Sequence, residues 1–407
     1  MRLTIVNLFY PPDLAPSAHF AASLAAHRAA LGDRVTVITG RGSYLGGRSP
    51  DGEAPMSPPS TGPHVIRLWT PALGKQTLGH RLSDYGAFLV GAVWRLLRLP
   101  AQDVVIVMTT PPYLEIVAVA HRLLHARTRI VAWTHDLYPD AAEEYGAIRR
   151  GGPMSRLLRA SKRWLFRRVD HVVALDSAMR DRALSQYADD GRPTGSVIPN
   201  WEPIALFPAG IERRGDRVRP AVEPFAVLYL GNLSYGHPID TIVRAAEALR
   251  DEPFAFTFVG GGTRFPELRE RTAHLANVTI HDYVPKAQTP SVLSRADCSL
   301  VSLDDGSLGI MSPCKVHASL AMGVPVVYLG PRGTNVDEAI ASFGCGSSLR
   351  HGDVDGLVGA LRRLREDADV AGEMSRNARR AFDEAYADVR TLPRFDELLA
   401  ELTSRPV

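Results

Sequence analysis

The sequence predicts an α/β protein built from two successive doubly wound domains. Short runs rich in Val, Ile and Leu alternate with amphipathic helical patterns along the chain, as in parallel strands covered on both faces. The rhythm lapses once, from 199 to 224, where Pro199, Pro203, Pro208, Pro220 and Pro224 stand among mixed charges. At 407 residues the chain is also too long for one ordinary core.

In order, strands are expected at 3–9, 35–39, 65–69, 104–108, 129–133, 171–175 and 196–199, with helices over 17–31, 80–98, 113–126 and 153–168. The Gly, Pro and Ser of 41–63 read as a mobile loop. Beyond the linker, set at 206–224, strands are expected at 225–231, 254–260, 278–284, 298–303 and 325–330. Helices are expected over 239–250, 263–275, 288–295, 314–322, 335–342, 353–366 and 369–387. The domains are therefore 1–205 and 225–387. In open parallel sheets ligands bind beyond the carboxyl ends of the strands, so a cleft between two such domains is the expected active site.

Composition narrows the class. Hydrophobic residues at 45% and charged residues at 22% are ordinary for a soluble globular chain, and a net charge of +3 leaves no general nucleic-acid footprint. Cys298, Cys314 and Cys345 form no CxxC pair, which suits a reduced, cytoplasmic setting. The opening MRLTIVNLFYPPD is too short and too interrupted for a signal peptide, and no run of 18 apolar residues suggests a membrane span. The stretches 80–98 and 149–168 read as basic amphipathic helices, with the basic face either solvated or resting on an anionic membrane surface.

Several strand ends carry polar constellations. The loop holding Pro12 leads into a helix with Ser17 and His19 near its start; it either touches an acceptor or forms a rigid turn capped by Ser17. No GxGxxG follows the first strand, which disfavours a dinucleotide-binding first domain. His135 and Asp136 follow a buried strand and either face the cleft or cap the following turn; a histidine there is expected to serve in hydrogen bonding or proton transfer near neutrality. Gly231, Asn232 and His237 lie between a strand and a helix, and Gly260 to Gly262 follow the next strand, so backbone can approach a phosphate in both loops. Tyr283 and Val284, after another strand, either offer a flat ring and free backbone groups to a nucleobase or form a plain turn.

The stretch GIMSPCKVHASLAMGVPVV, 309–327, is the most pointed. Pro313 suits a first helical turn and Ser312 its cap, leaving free N–H groups beside Lys315 as an anion site of the kind that holds a diphosphate. Lysine occurs only at 75, 162, 286 and 315 in an arginine-dominated chain, so Lys315 stands out; His317 faces either the site or the core.

Taken together, LFYPPD (8–13), HDLYPD (135–140), VIPNW (197–201), LGNLSYGHPIDTI (230–242), VGGG (259–262) and SPCKVHASLAMGVPVVYLG (312–330) resemble the family 4 nucleotide-sugar glycosyltransferases, nearest the bacterial branch of colanic-acid, O-antigen and capsule assembly. The resemblance implies the GT-B architecture: an acceptor domain, a donor domain and a last helix, here 388–407, that crosses back to the first. It places 312–317 at the diphosphate and sugar of the donor, Gly231, Asn232, His237 and Gly261 on the phosphate side, and Tyr283 and Val284 near the base. His135, Asp136 and Lys315 take the catalytic places, and Pro12, Ser17 and His19 the acceptor side. Two glutamates of many relatives are here Ile310 and Ala318, and an Arg and a Lys are Gly236 and His237.

The expected reaction moves a sugar from a UDP-linked donor to a saccharide or polyprenyl-linked acceptor, with retention of configuration and no metal or other cofactor. If the enzyme inverts instead, Asp136 or His135 is the base. A nucleotide-sugar 2-epimerase and a non-catalytic nucleotide-sugar-binding subunit are the alternatives. The expected location is cytoplasmic, at the inner face of the cell membrane if the basic helices meet it.

Overall fold

A computed structural model describes residues 1–13, 15–41, 62–71, 78–189, 191–208, 210–211 and 223–404. Residues 42–61 of the expected loop and 212–222 of the expected linker lie outside the described residues. The chain divides into two compact units: Met1–Leu175, Met179–Ile198 and Leu392–Val407 form one, Asp176–Ala178 and Pro199–Thr391 the other.

The first unit runs β1 (Arg2–Val6), α1 (Pro16–Ala30), β2 (Arg34–Gly40), β3 (His64–Leu68), α2 (Leu78–Leu97), β4 (Val104–Val107), α3 (Glu115–Leu124), β5 (Arg129–Trp133), α4 (Asp140–Glu144), α5 (Pro153–Phe166), β6 (His171–Ala174), α6 (Ser177–Tyr187) and β7 (Thr194–Val197). Its sheet is parallel, in the order β3-β2-β1-β4-β5-β6-β7, with Leu3 level with Val35 on one side and Val104 on the other. The runs Val104–Val107 and His171–Ala174 are buried throughout, which explains their lack of polar alternation.

The second unit holds β8 (Phe225–Asn232), α7 (Asp240–Ala248), β9 (Phe254–Gly261), α8 (Phe265–Thr272), β10 (Val278–His281), α9 (Thr289–Leu293), β11 (Cys298–Ser302), α10 (Lys315–Ala321), β12 (Val326–Leu329), α11 (Asn335–Phe343), β13 (Gly346–Leu349), α12 (Val354–Glu366) and α13 (Ala368–Ala381). A π-helical turn, Phe382–Tyr386, leads to α14 (Asp388–Ser404), whose residues from Leu392 onward belong to the first unit. This sheet is also parallel, in the order β10-β9-β8-β11-β12-β13. Both units are doubly wound, and both are α/β.

Three elements were not legible in the pattern. α4 is a single short turn, α6 (SAMRDRALSQY) has almost no apolar stripe, and β13 (GSSL) lacks the apolar run of its neighbours. The helix expected over 369–387 ends earlier, because the backbone turns extended at Ala387 before α14 begins.

Buried charge ties α3 to α5. Lys162 Nζ donates to Glu115 Oε1 at 2.5 Å, with both side chains 2% exposed. An ion pair taken this far out of water holds only while both partners are present. Lys162→Met is therefore expected to lower unfolding stability by about 3–5 kcal/mol. The double variant Lys162→Met/Glu115→Leu should recover most of that loss in urea unfolding followed by circular dichroism.

Candidate functional site

In the second unit the strand order reverses between β8 and β11, and the polar residues singled out above gather beside that point. Gly231 is level with Gly260, and Asn232 with Gly261. Gly260 has φ +149°, and a Cβ there would lie 2.1 Å from the Gly231 carbonyl oxygen, so these strand ends meet only because position 260 has no side chain. A Cβ at Gly261 would come within 2.6 Å of the Tyr283 ring, which lies against that backbone. Tyr283 Oη donates to Asn232 Oδ1 at 3.2 Å.

Lys315, the first residue of α10, reaches into the same group. Its Nζ donates to the Asn232 carbonyl at 2.9 Å and to Tyr229 Oη at 2.5 Å, and stands 4.3 Å from the Tyr229 ring centroid. No carboxylate pairs with it among the described residues. Burial pushes its ammonium down to about 7, so near neutral pH the charged and neutral forms are both populated.

The other candidates separate. His237 lies close by, 7% exposed, with Nδ1 3.1 Å from Ser234 Oγ; burial first, and then the charge of Lys315, hold it well below the usual imidazole range. It is a neutral hydrogen-bonding group, not a second cation. His317 is 1% exposed and faces the interior: its Nδ1 meets the Cys314 carbonyl at 2.9 Å, its ring packs 5.2 Å from Tyr386, and burial pushes it to about 4. Val284 packs against the core of this unit.

The expected Ser312 cap is corrected: α10 is flanked by Cys314 with no side-chain capping bond, because the turn around Pro313 carries the chain past Ser312 before the helix begins. Ser312 Oγ is buried and has no hydrogen-bond partner among the described residues. The Pro313 carbonyl accepts from Asn335 Nδ2 at 3.0 Å, which links this turn to the start of α11. Asp304 and Asp305 are engaged within the protein, by the Gly306 amide and by Arg350.

In the first unit the order reverses between β1 and β4, and the loops after β1, β4 and β5 converge there. Asn7 Nδ2 donates to the Phe9 carbonyl at 2.7 Å and to Ser17 Oγ at 3.3 Å. Ser17 is thus an acceptor from Asn7, and the alternative of a Ser17 cap is not met: α1 begins at Pro16 after Ala15, with no side-chain capping bond among the described residues. Pro12 is exposed, while Ser17 and His19 are half-buried. Thr109 Oγ1 accepts from the amides of both His135 and Asp136 at 3.2 Å. The His135 ring stacks on Phe20 at 5.7 Å and tilts against Trp133 at 5.1 Å, with Nε2 buried and unpartnered. Burial pushes its pKa to about 3, so it does not titrate near neutrality. The Asp136 carboxylate adds to burial in raising the Tyr85 and Tyr138 phenols.

Five contributors went unnoticed in the sequence: Asn7, Thr109, Tyr229, Arg264 and Asn335. Tyr229 was visible as the one hydroxyl in FAVLYLG. Arg264, next to the triple glycine, donates to the His237 carbonyl at 3.5 Å and adds positive charge near that ring. The others are placed by contacts distant in sequence. A neutral amine acylates and an ammonium does not, so the acetylation rate of Lys315 is expected to rise through pH 7 and to level off by about pH 9. Mass spectrometry after brief labelling at pH 6–10 reads this profile; a rate still climbing tenfold per pH unit above pH 9 would contradict the lowered pKa.

Comparison with known proteins follows these two units. Residues 17–201 match the family described as Glycosyl transferase 4-like domain, and residues 224–367 match Glycosyl transferases group 1. The chain is 27% identical over 223 residues to WcaI of Escherichia coli K12, named for colanic acid biosynthesis; that alignment takes in 53% of this chain and only 54% of the relative. Sucrose-phosphate synthase from Thermosynechococcus elongatus shares the fold with a TM-score of 0.76 at 16% identity over 99% of both chains. The Anabaena protein HepE, solved in complex with UDP, does so with a TM-score of 0.67 at 14% identity over 98% of this chain and 100% of its own. With a glycosyltransferase domain on each of its two doubly wound units, the chain belongs to the glycosyltransferases whose domains are described as 4-like and group 1, with the GT-B fold.

Proposed function

We propose that this protein transfers a sugar from a UDP-linked donor to a saccharide or lipid-linked acceptor during assembly of a surface glycan. The observation that carries this reading is Lys315, an amine held among Tyr229, Asn232 and the glycine-rich strand ends with no carboxylate of its own. A diphosphate supplies the missing counter-charge. WcaI, named for colanic acid biosynthesis, and HepE, solved with UDP, favour a surface glycan and a UDP donor respectively.

As the glycosidic bond lengthens, negative charge grows on the departing diphosphate and the sugar gains oxocarbenium character. A protonated Lys315 stabilises that charge more than it does the ground state, so it contributes to rate and not only to binding. The neutral His237 and the backbone amides of the glycine loops act as hydrogen-bond donors. No metal is required in this scheme, since positive charge comes from Lys315; Arg264 nearby is already paired with Glu267 at 3.0 Å. Tyr283 serves the base. A pKa near 3 suits His135 to hydrogen bonding with the sugar and not to proton abstraction, which agrees with retention of configuration.

Binding an anion favours the protonated amine, so UDP affinity should be highest below pH 7 and fall as pH rises through the free-enzyme pKa of about 7. Titration calorimetry across pH 6–9 reads this slope, and Lys315→Met should abolish it. The same substitution is expected to lower kcat by roughly a hundredfold, the loss of about 3 kcal/mol of transition-state stabilisation. Thermal-shift screening against UDP, GDP, TDP and CMP sugars tests the base. Donor turned over to an epimer without acceptor would make the protein an epimerase, and UDP binding without transfer in any membrane extract would make it a binding subunit.

A further inference from the structure

The first unit presents an outward face that its own core does not cover. The crossovers through α2, α3 and α5 advance in one direction along the sheet, which sets the three helices on the same side of it. Among the described residues fifteen large apolar side chains are exposed, and nine of them stand on these three helices. Leu82, Val90 and Trp94 follow one another at helical spacing along α2, with Val90 72% exposed. α3 adds Ile116, Leu123 and Leu124, and α5 adds Met154, Leu157 and Trp164. Between α3 and α5 lies a groove of about 500 Å³, with Ile116, Leu158, Ala160 and Trp164 among its walls. Scattered apolar residues on a surface need no explanation, but a concentration on one layer does.

The rim of this face indicates what covers it. Just past α2 the Arg98 guanidinium lies 3.3 Å over the Trp94 ring, and just past α5 that of Arg168 lies 3.9 Å over Trp164, the same four-residue spacing used twice. Arg98, Arg163 and Arg168 donate to carbonyl oxygens, those of Trp94, Gln186 and Trp164, and none is paired with a carboxylate among the described residues. The sequence of α5, PMSRLLRASKRWLF, contains no acidic residue. Tryptophans under arginines, set among leucines and rimmed by unneutralised positive charge, match the boundary between anionic headgroups and acyl chains. A second copy of the chain fits less well, because pairing this face with itself would bring two positive rims together. No described helix is long and apolar enough to cross a membrane, so the contact is with the surface.

We propose that the α2–α3–α5 face seats the protein on an anionic lipid bilayer, with its tryptophans at headgroup depth and an acyl chain in the α3–α5 groove. This goes beyond the sugar-transfer reading and does not rest on it. The test is flotation of the full chain with phosphatidylcholine vesicles, with and without about a third phosphatidylglycerol. Binding should be at least about tenfold tighter to the anionic vesicles and should weaken with added salt. Trp94→Ser/Trp164→Ser and Arg98→Glu/Arg168→Glu should each lose about tenfold or more in partitioning, with an unchanged circular dichroism spectrum and an unchanged thermal shift with UDP. Equal or absent binding to the two vesicle types would overturn the proposal, as would variants that float like the parent. A dimer in ultracentrifugation that Trp164→Ser dissociates would assign the face to a second copy instead.

Discussion

A lysine ammonium set against a tyrosine hydroxyl and a backbone carbonyl, with no carboxylate beside it, is the interaction on which the rest of the second unit turns. Both of its partners are neutral acceptors, so they orient the amine without cancelling its charge. Desolvation then lowers its pKa until protonation depends on what else enters the site. The glycines serve the strand ends around it: a Cβ at Gly260 would strike the Gly231 carbonyl, and one at Gly261 the Tyr283 ring.

The same architecture is used differently in the first unit. There the loops at the strand reversal bring together aromatic rings and a histidine that burial keeps neutral, with amides satisfied by one threonine hydroxyl. Its buried Lys162 is paired with Glu115, and its buried Asp140 and Glu143 with Arg159, Asp140 also with Arg182. Where a buried cation has its own counter-ion it acts as a structural tie, and where it lacks one its charge is left to be balanced. Lys162 and Lys315, two of only four lysines in the chain, illustrate the two outcomes.

Much of the fold was legible because buried parallel strands are written as uninterrupted Val, Ile and Leu, which local pattern reveals. β13 and α6 escaped because their places in the layers come from neighbours and not from their own composition. At the site, Lys315, Gly231, Asn232, Gly261 and Tyr283 were recognisable from residue type at strand ends. Ser17 and Ser312 misled, since a serine before a helix suggests a cap, yet one accepts from Asn7 and the other lies upstream of the helix start.

By itself the sequence determined the two α/β units, the order of their strands and helices, and the residues that stand at the strand ends. Tertiary structure alone decided which of those residues are charged and which face inward. Lys315 meets Tyr229 and Asn232 across 86 and 83 positions of chain, His317 turns to Tyr386, and His135 is enclosed by Phe20 and Trp133. A protonation state depends on solvent and charge within a few ångströms, and only folding determines what occupies that space.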